Sequence, residues 1–369
     1  MSRPTAQDAL RSLETEGLVV NAGRRLAGET KLGRVPDVWE FNPRARFTVG
    51  AILTSEGAEF ALMDLNGEIM ERQQQAVSAD YDPRTFIRRL ASLLHRWQVE
   101  EQHHILGAAI GVSGQVGADG TVRYILRLPR WNAYPLQNTL SQQLGIPIWV
   151  DNWVRFQCLA ELLYGGHRDI RNLVCLETGV GVSGSIVVDG QLYRGSSFSA
   201  GALGHMQINV EGATCKCGSR GCLETYIGTE AVVDRGRQEA RRAGEEFSGA
   251  ITDLARAVRE GRTWADAVVK ETGFWLGIGF ATVINILNPA LLVIHGDLVA
   301  FGDRLLSIAQ ATVQQRALRI PAYTPRIVYS RLGRSSGIQG AAALVGQETL
   351  GIVPRPLTTA CPQDTVRRS

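Results

Sequence analysis

The chain has 369 residues, of which 44% are hydrophobic and 20% are charged, and its formal net charge is +3. This length allows two or three domains, and the composition excludes both a wholly disordered chain and a chain made mostly of membrane spans. Because the net charge is so small, any nucleic-acid surface must be confined to a patch. No signal-peptide pattern and no apolar run of about 18 residues occurs, so we predict a cytoplasmic protein with no membrane partner.

The first segment, residues 5–20, is predicted to form one amphipathic helix, because its small and apolar residues recur at helical spacing before Gly17. A turn-rich basic stretch and a short strand over residues 35–41 follow this helix. A helix followed by a basic hairpin is the pattern of a winged-helix DNA-binding unit. Taken alone, the segment fits an ordinary surface helix with solvated charges better.

Two apolar strands between residues 46 and 69 flank a turn at Thr54 to Glu56, which predicts a β-meander. Beyond it, predicted helices alternate with buried strands. The predicted helices cover residues 82–98, 135–144, 154–164, 247–260 and 264–285, and the predicted strands cover residues 105–112, 147–151, 173–176 and 291–295. This alternation predicts an α/β fold with a mixed sheet covered by helices. Residues 354–369 are rich in Pro, Thr and Arg and are predicted to be a disordered tail.

Three cysteines and a histidine between residues 204 and 224 form the most informative local pattern. Cys215, Cys217 and Cys222 have spacings that let one loop supply three thiolates, and His205 precedes them as a fourth ligand. Thiolate and imidazole are ligands that tetrahedral zinc accepts, and four protein ligands close the coordination shell. The pattern therefore predicts a structural Zn²⁺ site, with buried unliganded cysteines as the alternative interpretation.

At these residues the sequence resembles the ROK family of sugar kinases and repressors, whose signature is a Gly-His pair followed by a CxCGxxGCxE loop. The resemblance extends through nearly the whole chain and implies a two-lobed actin-like ATPase (RNase H-like) fold, preceded here by a partial winged-helix segment. It implies a DNA-binding segment over residues 1–42, an N-terminal lobe over residues 44–152 with 330–350, and a C-terminal lobe over residues 153–329 that carries the zinc loop.

Where ROK kinases place a catalytic aspartate directly after an asparagine, this chain has Trp153 directly after Asn152. An indole offers only an N–H donor and cannot take a proton from a sugar hydroxyl, so the position has no general base. Asp151 is adjacent, but it is expected to point to the opposite side of its strand.

Two further kinase elements are altered. The turn that would hold the phosphates reads Ile52 to Glu56, without the family's aspartate and with an added negative charge. The glycine-rich turn over residues 179–185 has serines where the family usually has glycine, and it is weak evidence for a nucleotide. Ala202 stands where family members use an acidic sugar-contacting residue three positions before the zinc histidine. We therefore predict a kinase-like fold without kinase activity.

Several side chains at positions that resemble sugar-contacting or neighbouring positions of the family remain. These candidates are Trp131, Asn132, Asn152, His205 and Glu224, with Trp153 as a surface on which a ring could stack. Structural packing is the alternative role for each, and it is the favoured role for Trp131.

ROK repressors carry a winged-helix domain before the first phosphate strand, and residues 2–20 resemble its recognition helix. The candidates for base or phosphate contact are Arg3, Thr5, Gln7 and Arg11 on the helix and Arg24, Arg25, Lys31 and Arg34 on the wing. A complete winged helix has about two further helices before the recognition helix, and the chain starts at Met1 directly ahead of it. Apolar residues of the helix are therefore expected to face water.

Together these patterns predict a transcriptional regulator of the ROK type, concerned with carbohydrate metabolism. It would bind double-stranded DNA as a homodimer or homotetramer and sense a carbohydrate-like effector. Two alternatives stay open: a ROK sugar kinase, and a zinc-stabilised ligand-binding protein that does not bind DNA.

Overall fold

A computed structural model describes residues 3–24, 37–167, 169–318 and 325–351. The predicted wing residues Arg25, Lys31 and Arg34 and the predicted tail over residues 354–369 lie outside the described residues. For Arg3 and Arg24 only the backbone is described.

The chain begins with helix α1 (Arg3–Thr15) and an antiparallel hairpin of β1 (Val19–Arg24) and β2 (Asp37–Phe41). Asn42, directly after the hairpin, ties its end to the end of α1. Its Nδ2 donates to the carbonyl of Gly17 at 3.0 Å, and its backbone N–H donates to the carbonyl of Leu18 at 2.9 Å. The hairpin and α1 therefore form one small unit directly before the first sheet.

The first large sheet has five strands in the order β5-β4-β3-β6-β9. Its elements are β3 (Phe47–Leu53), β4 (Ala58–Asp64), β5 (Ile69–Gln75), α2 (Pro83–His95), β6 (Ile105–Val112), β7 (Gln115–Val116), β8 (Val122–Tyr124), α3 (Leu136–Leu144) and β9 (Ile148–Asn152). Strands β3, β6 and β9 are parallel, while β4 and β5 are antiparallel additions. Helices α2 and α3 cover one face and share its apolar core.

The second sheet repeats this pattern in the order β12-β11-β10-β13-β14, with β10, β13 and β14 parallel. Its elements are α4 (Trp153–Leu163), β10 (Leu173–Thr178), β11 (Val182–Val188), β12 (Gln191–Leu192), α5 (Glu224–Ile227), α6 (Thr229–Arg242), α7 (Ile251–Arg259), α8 (Thr263–Leu287), β13 (Leu291–Gly296), α9 (Gly302–Arg316), β14 (Arg326–Tyr329) and α10 (Ser336–Leu350).

Helices α4 and α10 pack against each other between the two sheets. Helix α4 also packs on β10 and β11, while α10 packs on β3 and β6. The helices touch at backbone level, because a Cβ added to Gly340 would lie 1.7 Å from the carbonyl oxygen of Phe156. This helix pair is the junction of the two halves, and both chain crossings, at Asn152 to Trp153 and before Ser336, lead into it.

Within the described chain, α8 alone is long and apolar enough to cross a bilayer by length and composition. In its most apolar window 61% is buried inside the protein, where it packs on α9 and α6. It is therefore a core helix of the second half of the chain.

Candidate functional site

A cavity of about 1050 Å³ lies between the two halves. Its walls include the turn after β3, the start of α4, the ends of β10 and β13, and the loop over residues 198–202. The carboxyl ends of parallel strands converge here, which is where open α/β sheets bind their ligands.

Asn152 and Trp153 stand at the crossing from β9 to α4. Asn152 caps the helix: its Oδ1 accepts from the backbone N–H of Val154 at 2.9 Å, and its Nδ2 donates to the carbonyl of Gly114 at 2.8 Å. Both polar atoms of Asn152 therefore have backbone partners, which leaves one amide hydrogen for another partner.

The indole of Trp153 forms part of the cavity wall next to the start of α10. A Cβ on Gly337 would lie 3.0 Å from its Cε3, and a Cβ on Gly111 would lie 2.7 Å from both its Cβ and Cδ1 of Ile52. Trp153 and Ile52 thus fill neighbouring space at the position where the family resemblance expects two carboxylates. Neither side chain can accept a proton.

Asp151 is held away from the cavity by two arginines. Its carboxylate forms a short contact with Nη1 of Arg155 and accepts from Nε of Arg194 at 3.0 Å. Arg155 is 4% exposed and also donates to the carbonyl of Phe198 at 2.6 Å. The cavity lining does not include Asp151, so the carboxylate nearest to Trp153 in the sequence is committed to ion pairs.

Two backbone N–H groups of the β3–β4 turn donate hydrogen bonds to a side chain of the same turn. Thr54 Oγ1 accepts from the N–H of Glu56 at 3.1 Å and from the N–H of Gly57 at 3.3 Å. A phosphate-binding loop needs such amides free to face the anion. With the carboxylate of Glu56 on the same turn, the arrangement disfavours a phosphate group.

Four side chains of the zinc-type pattern come together as the spacing predicted. The candidate ligand atoms of His205, Cys215, Cys217 and Cys222 all lie within 4.8 Å of one another. Cys215 Sγ is 3.7 Å from His205 Nδ1, and Cys217 Sγ is 3.7 Å from Cys222 Sγ. Ligand atoms around a tetrahedral Zn²⁺ ion are about 3.6–3.8 Å apart, so this donor set fits such an ion.

The thiols of this cluster also need a cation if they are to ionise together. Burial, with the neighbouring sulfur atoms, raises the pKa of Cys222 to about 12. A metal dication between thiolates removes that penalty, because the ligand form of cysteine is the thiolate. His205 and Cys217 also line the cavity, so the cluster adjoins it.

Glu224 lies at the start of α5 and lines the cavity beside Ala202. Its Oε2 accepts from the backbone N–H of Val182 at 2.8 Å, which anchors the glycine-rich turn between β10 and β11. One carboxylate oxygen has this backbone partner, and Ala202 adds no polar atom to the wall.

Trp131 and Asn132, both ligand candidates, are not among the residues that line the cavity, and for Trp131 this agrees with the packing role that the sequence favoured. The indole of Trp131 is 0% exposed, packs against Phe86 and Tyr81, and donates to the carbonyl of Tyr81 at 2.9 Å. Asn132 accepts from the N–H of Ile125 at 2.7 Å and so shapes the loop that reaches the cavity. Trp131 therefore has a packing role, whereas the exposed Asn132 holds the loop through a hydrogen bond.

On α1, Gln7 and Arg11 are exposed, and Arg11 lies 3.9 Å from Asp8 in an exposed ion pair. Thr5 is exposed on the same helix. Leu13, Val20 and Phe41 expose 37%, 45% and 48% of their surface.

Several residues that line the cavity were not indicated by the sequence, among them Gln157, Glu177 and His295. Glu177 and His295 lie near the carboxyl ends of β10 and β13 and are paired across these two parallel strands. A polar residue that ends a buried apolar strand is a signal that could have identified both. Gln157 lies inside α4 and gives no such signal.

Comparisons with known proteins find both repressors and sugar kinases. The model of the ROK family matches residues 53–348. The xylose repressor of Caldicellulosiruptor bescii is 26% identical over 362 residues, covering 95% of this chain and 90% of its own. The glucokinase of Streptomyces coelicolor is 26% identical over 311 residues, covering 80% of this chain and 96% of its own.

Among solved structures, a ROK family transcriptional regulator described as a homologue of the Escherichia coli MLC protein superposes with a TM-score of 0.79. It is 25% identical, and the match covers 94% of this chain and 89% of that one. The Streptomyces griseus ROK glucokinase, solved with glucose and AMPPNP, has a TM-score of 0.70 at 22% identity and covers 82% and 99%. The predicted two-lobed α/β fold is confirmed.

Proposed function

The chain belongs to the ROK family, and we propose that it is a DNA-binding transcriptional regulator of carbohydrate metabolism whose kinase-like cleft binds an effector without phosphorylating it. One observation carries the proposal: the repressor match covers 95% of the chain, whereas the glucokinase match covers 80%. The unit of α1, β1 and β2 precedes the region that the family model matches.

We propose that α1 is the element that contacts DNA, through Thr5, Gln7 and Arg11, with Arg3 and the basic residues Arg24, Arg25, Lys31 and Arg34 as further contacts. Gln7 and Arg11 are exposed, which supports this role. The Arg11 ion pair is solvated and weak, so a phosphate can replace Asp8 at little cost.

The absence of phosphoryl transfer is proposed on three features of the cleft. Trp153 offers no acceptor at the expected base position, Thr54 occupies the turn amides, and Ala202 contributes no carboxylate. A general base contributes roughly 10²–10⁴-fold to such reactions, so its loss alone leaves little activity. The remaining polar groups of Asn152, His205 and Glu224, with the ring of Trp153, form the proposed effector site.

We further propose that the cluster of His205, Cys215, Cys217 and Cys222 holds a structural Zn²⁺ ion. The interatomic distances and the donor set support this assignment. Such an ion supplies folding free energy to a loop that is otherwise short of regular structure. With the ion bound, the loop would hold His205 at the wall of the cavity.

The remaining proposals concern organisation. We propose lobes over residues 44–152 with 330–350 and over residues 153–329, a cytoplasmic location, and a homodimer or homotetramer that presents paired DNA-binding units. Paired units match the symmetry of operators read by related helix-based DNA binders.

The test is fluorescence anisotropy of the full chain on a duplex from upstream of its own coding region. Replacing Arg11 by alanine should weaken binding and lower the slope of log affinity against log salt by about 1. The matched control Arg241→Ala removes an exposed arginine from α6 and should leave both quantities unchanged. Equal effects of the two substitutions would mean that α1 does not contact DNA.

A further inference from the structure

A buried network of polar side chains occupies the junction of α4 and α10, and neither the metal cluster nor the DNA-binding unit uses it. Gln157, Glu161, His295 and Ser336 are each at most 3% exposed. Uncompensated polar groups at such depth are costly, so their arrangement calls for a physical explanation.

The network connects the cavity wall to the first residue of α10. Gln157 Nε2 donates to Oε2 of Glu177 at 2.8 Å and lies 3.3 Å from Oγ of Ser336. Ser336 Oγ lies 3.4 Å from Nδ1 of His295. The side chain of Gln157 therefore joins β10, α4 and α10 at one point.

A second set of contacts continues the network past the cavity. Ser330 Oγ donates to Oε1 of Glu161 at 2.5 Å, and His295 Nε2 lies 3.5 Å from the same oxygen. Ser330 and Ser336 flank the segment by which the chain returns to the first sheet. Both chain crossings between the halves are thus tied to these side chains.

Glu177 is the acidic end of the network and faces the cavity. The charged groups around it are Glu56 from the β3–β4 turn, Asp297 after β13, and Arg334 before α10, while His295 is its neighbour on β13. Burial, with Asp297 and Glu56, raises the pKa of Glu177 to about 7. One cation thus faces three carboxyl groups, and the Oε1 atom of Gln157 is buried without a partner.

We propose that Glu177 is the positioning residue through which an occupant of the cavity acts on the junction. A hydrogen-bond donor on the occupant, such as a hydroxyl or an ammonium group, keeps the Glu177 carboxylate ionised. The ionised carboxylate is the stronger acceptor for Gln157, whose carboxamide then fixes Ser336 and the first turn of α10 against α4. Because α10 leads back to the first sheet, this contact biases the angle between the halves.

The inference rests on the proposed effector-binding role of the cleft, but its test needs neither DNA nor an effector. The probe is the pH, because protonation of Glu177 removes the negative charge that strengthens its hydrogen bond with Gln157. Hydrogen–deuterium exchange of the full chain is followed in peptides covering residues 336–346 at about pH 6 and about pH 8 and corrected for the intrinsic rate. Because ionisation of Glu177 lowers the stability of the whole fold, protection is expressed relative to that of peptides from α8, and this ratio is expected to rise by about threefold at the higher pH.

Three variants separate the proposed path from a general pH effect. Glu177→Gln and Gln157→Met should each abolish the pH-dependent part of the protection. The first removes the titrating group, and the second removes the side chain that donates a hydrogen bond to it. Glu56→Gln removes a carboxylate that helps to raise the pKa of Glu177, so it should move the rise to lower pH without abolishing it. No rise in the native chain, or a rise that survives either Glu177→Gln or Gln157→Met, would overturn the proposal. Either result leaves the DNA-binding proposal unaffected.

Discussion

Replacing Glu177 by glutamine should stabilise the protein above neutral pH and leave its stability nearly unchanged near pH 4.5. The pKa of Glu177 is raised from 4.5 to about 7, chiefly by burial, so the folded state holds a proton that the unfolded state has released. Its favourable contribution is complete below about pH 4.5 and is lost as the pH rises through about 7. Glutamine carries no charge to bury and escapes this loss.

The size of the effect follows from the pKa difference. Each unit corresponds to about 1.4 kcal/mol, which sets an upper value of about 3 kcal/mol at pH 8, and screening by the open cavity reduces it to about 1–3 kcal/mol. The bond from Gln157 offsets part of the cost, and glutamine at position 177 preserves an acceptor for that bond. The net sign therefore remains stabilising.

The assay is thermal unfolding of both proteins by circular dichroism between about pH 5 and about pH 8. The difference in Tm should grow with pH, on the order of 1–2 °C for each kcal/mol in a chain of this size. Glu56→Gln, which removes an exposed carboxylate from the same cavity, should show no comparable trend. A Tm difference for Glu177→Gln that stays constant over this range would mean that Glu177 does not titrate with a raised pKa in the folded protein.

Three further outcomes are expected. Cys217→Ser should lower both the zinc content, measured by atomic emission, and the Tm, because structural zinc contributes folding free energy, whereas Cys158→Ser, at a buried cysteine outside the cluster, should retain the metal. Trp153→Asp should restore a carboxylate without restoring ATP-dependent phosphorylation of glucose or xylose in a coupled assay, because Thr54 still occupies the turn amides; measurable turnover would contradict this. Gly340→Ala should destabilise the protein by about 2 kcal/mol or more, since its Cβ would meet the Phe156 carbonyl, while Gly181→Ala, whose nearest neighbour is at 3.5 Å, should unfold at nearly the native temperature.

The sequence predicted best what depends on local spacing. The apolar runs of β6 and β13 and the periodicity of α4 identified these elements to within about two residues. The prediction that four ligand atoms come together was correct, because one loop and one preceding residue supply them all. Strand β5 was missed, since its exposed polar residues alternate with half-buried ones and give a weak apolar signal.

Contacts between side chains of different elements could not be predicted from the sequence. A packing role was favoured for Trp131, and its indole does lie in the core beside Phe86, but the sequence did not indicate which polar side chains meet at the cavity. Gln157 and Glu177 meet only because α4 packs on β10, a tertiary contact with no trace in local patterns. For the same reason the commitment of Asp151 to Arg155 and Arg194 emerged from the structure alone.

The regulatory role is tested most directly by the salt dependence of binding to DNA from the protein's own locus, compared with unrelated DNA of equal length. For a regulator, log affinity should fall linearly with log salt, and the native duplex should be bound at least about 10³-fold more tightly than the unrelated one. Equal affinity for both duplexes, or no salt-dependent binding to either, would contradict the regulatory role.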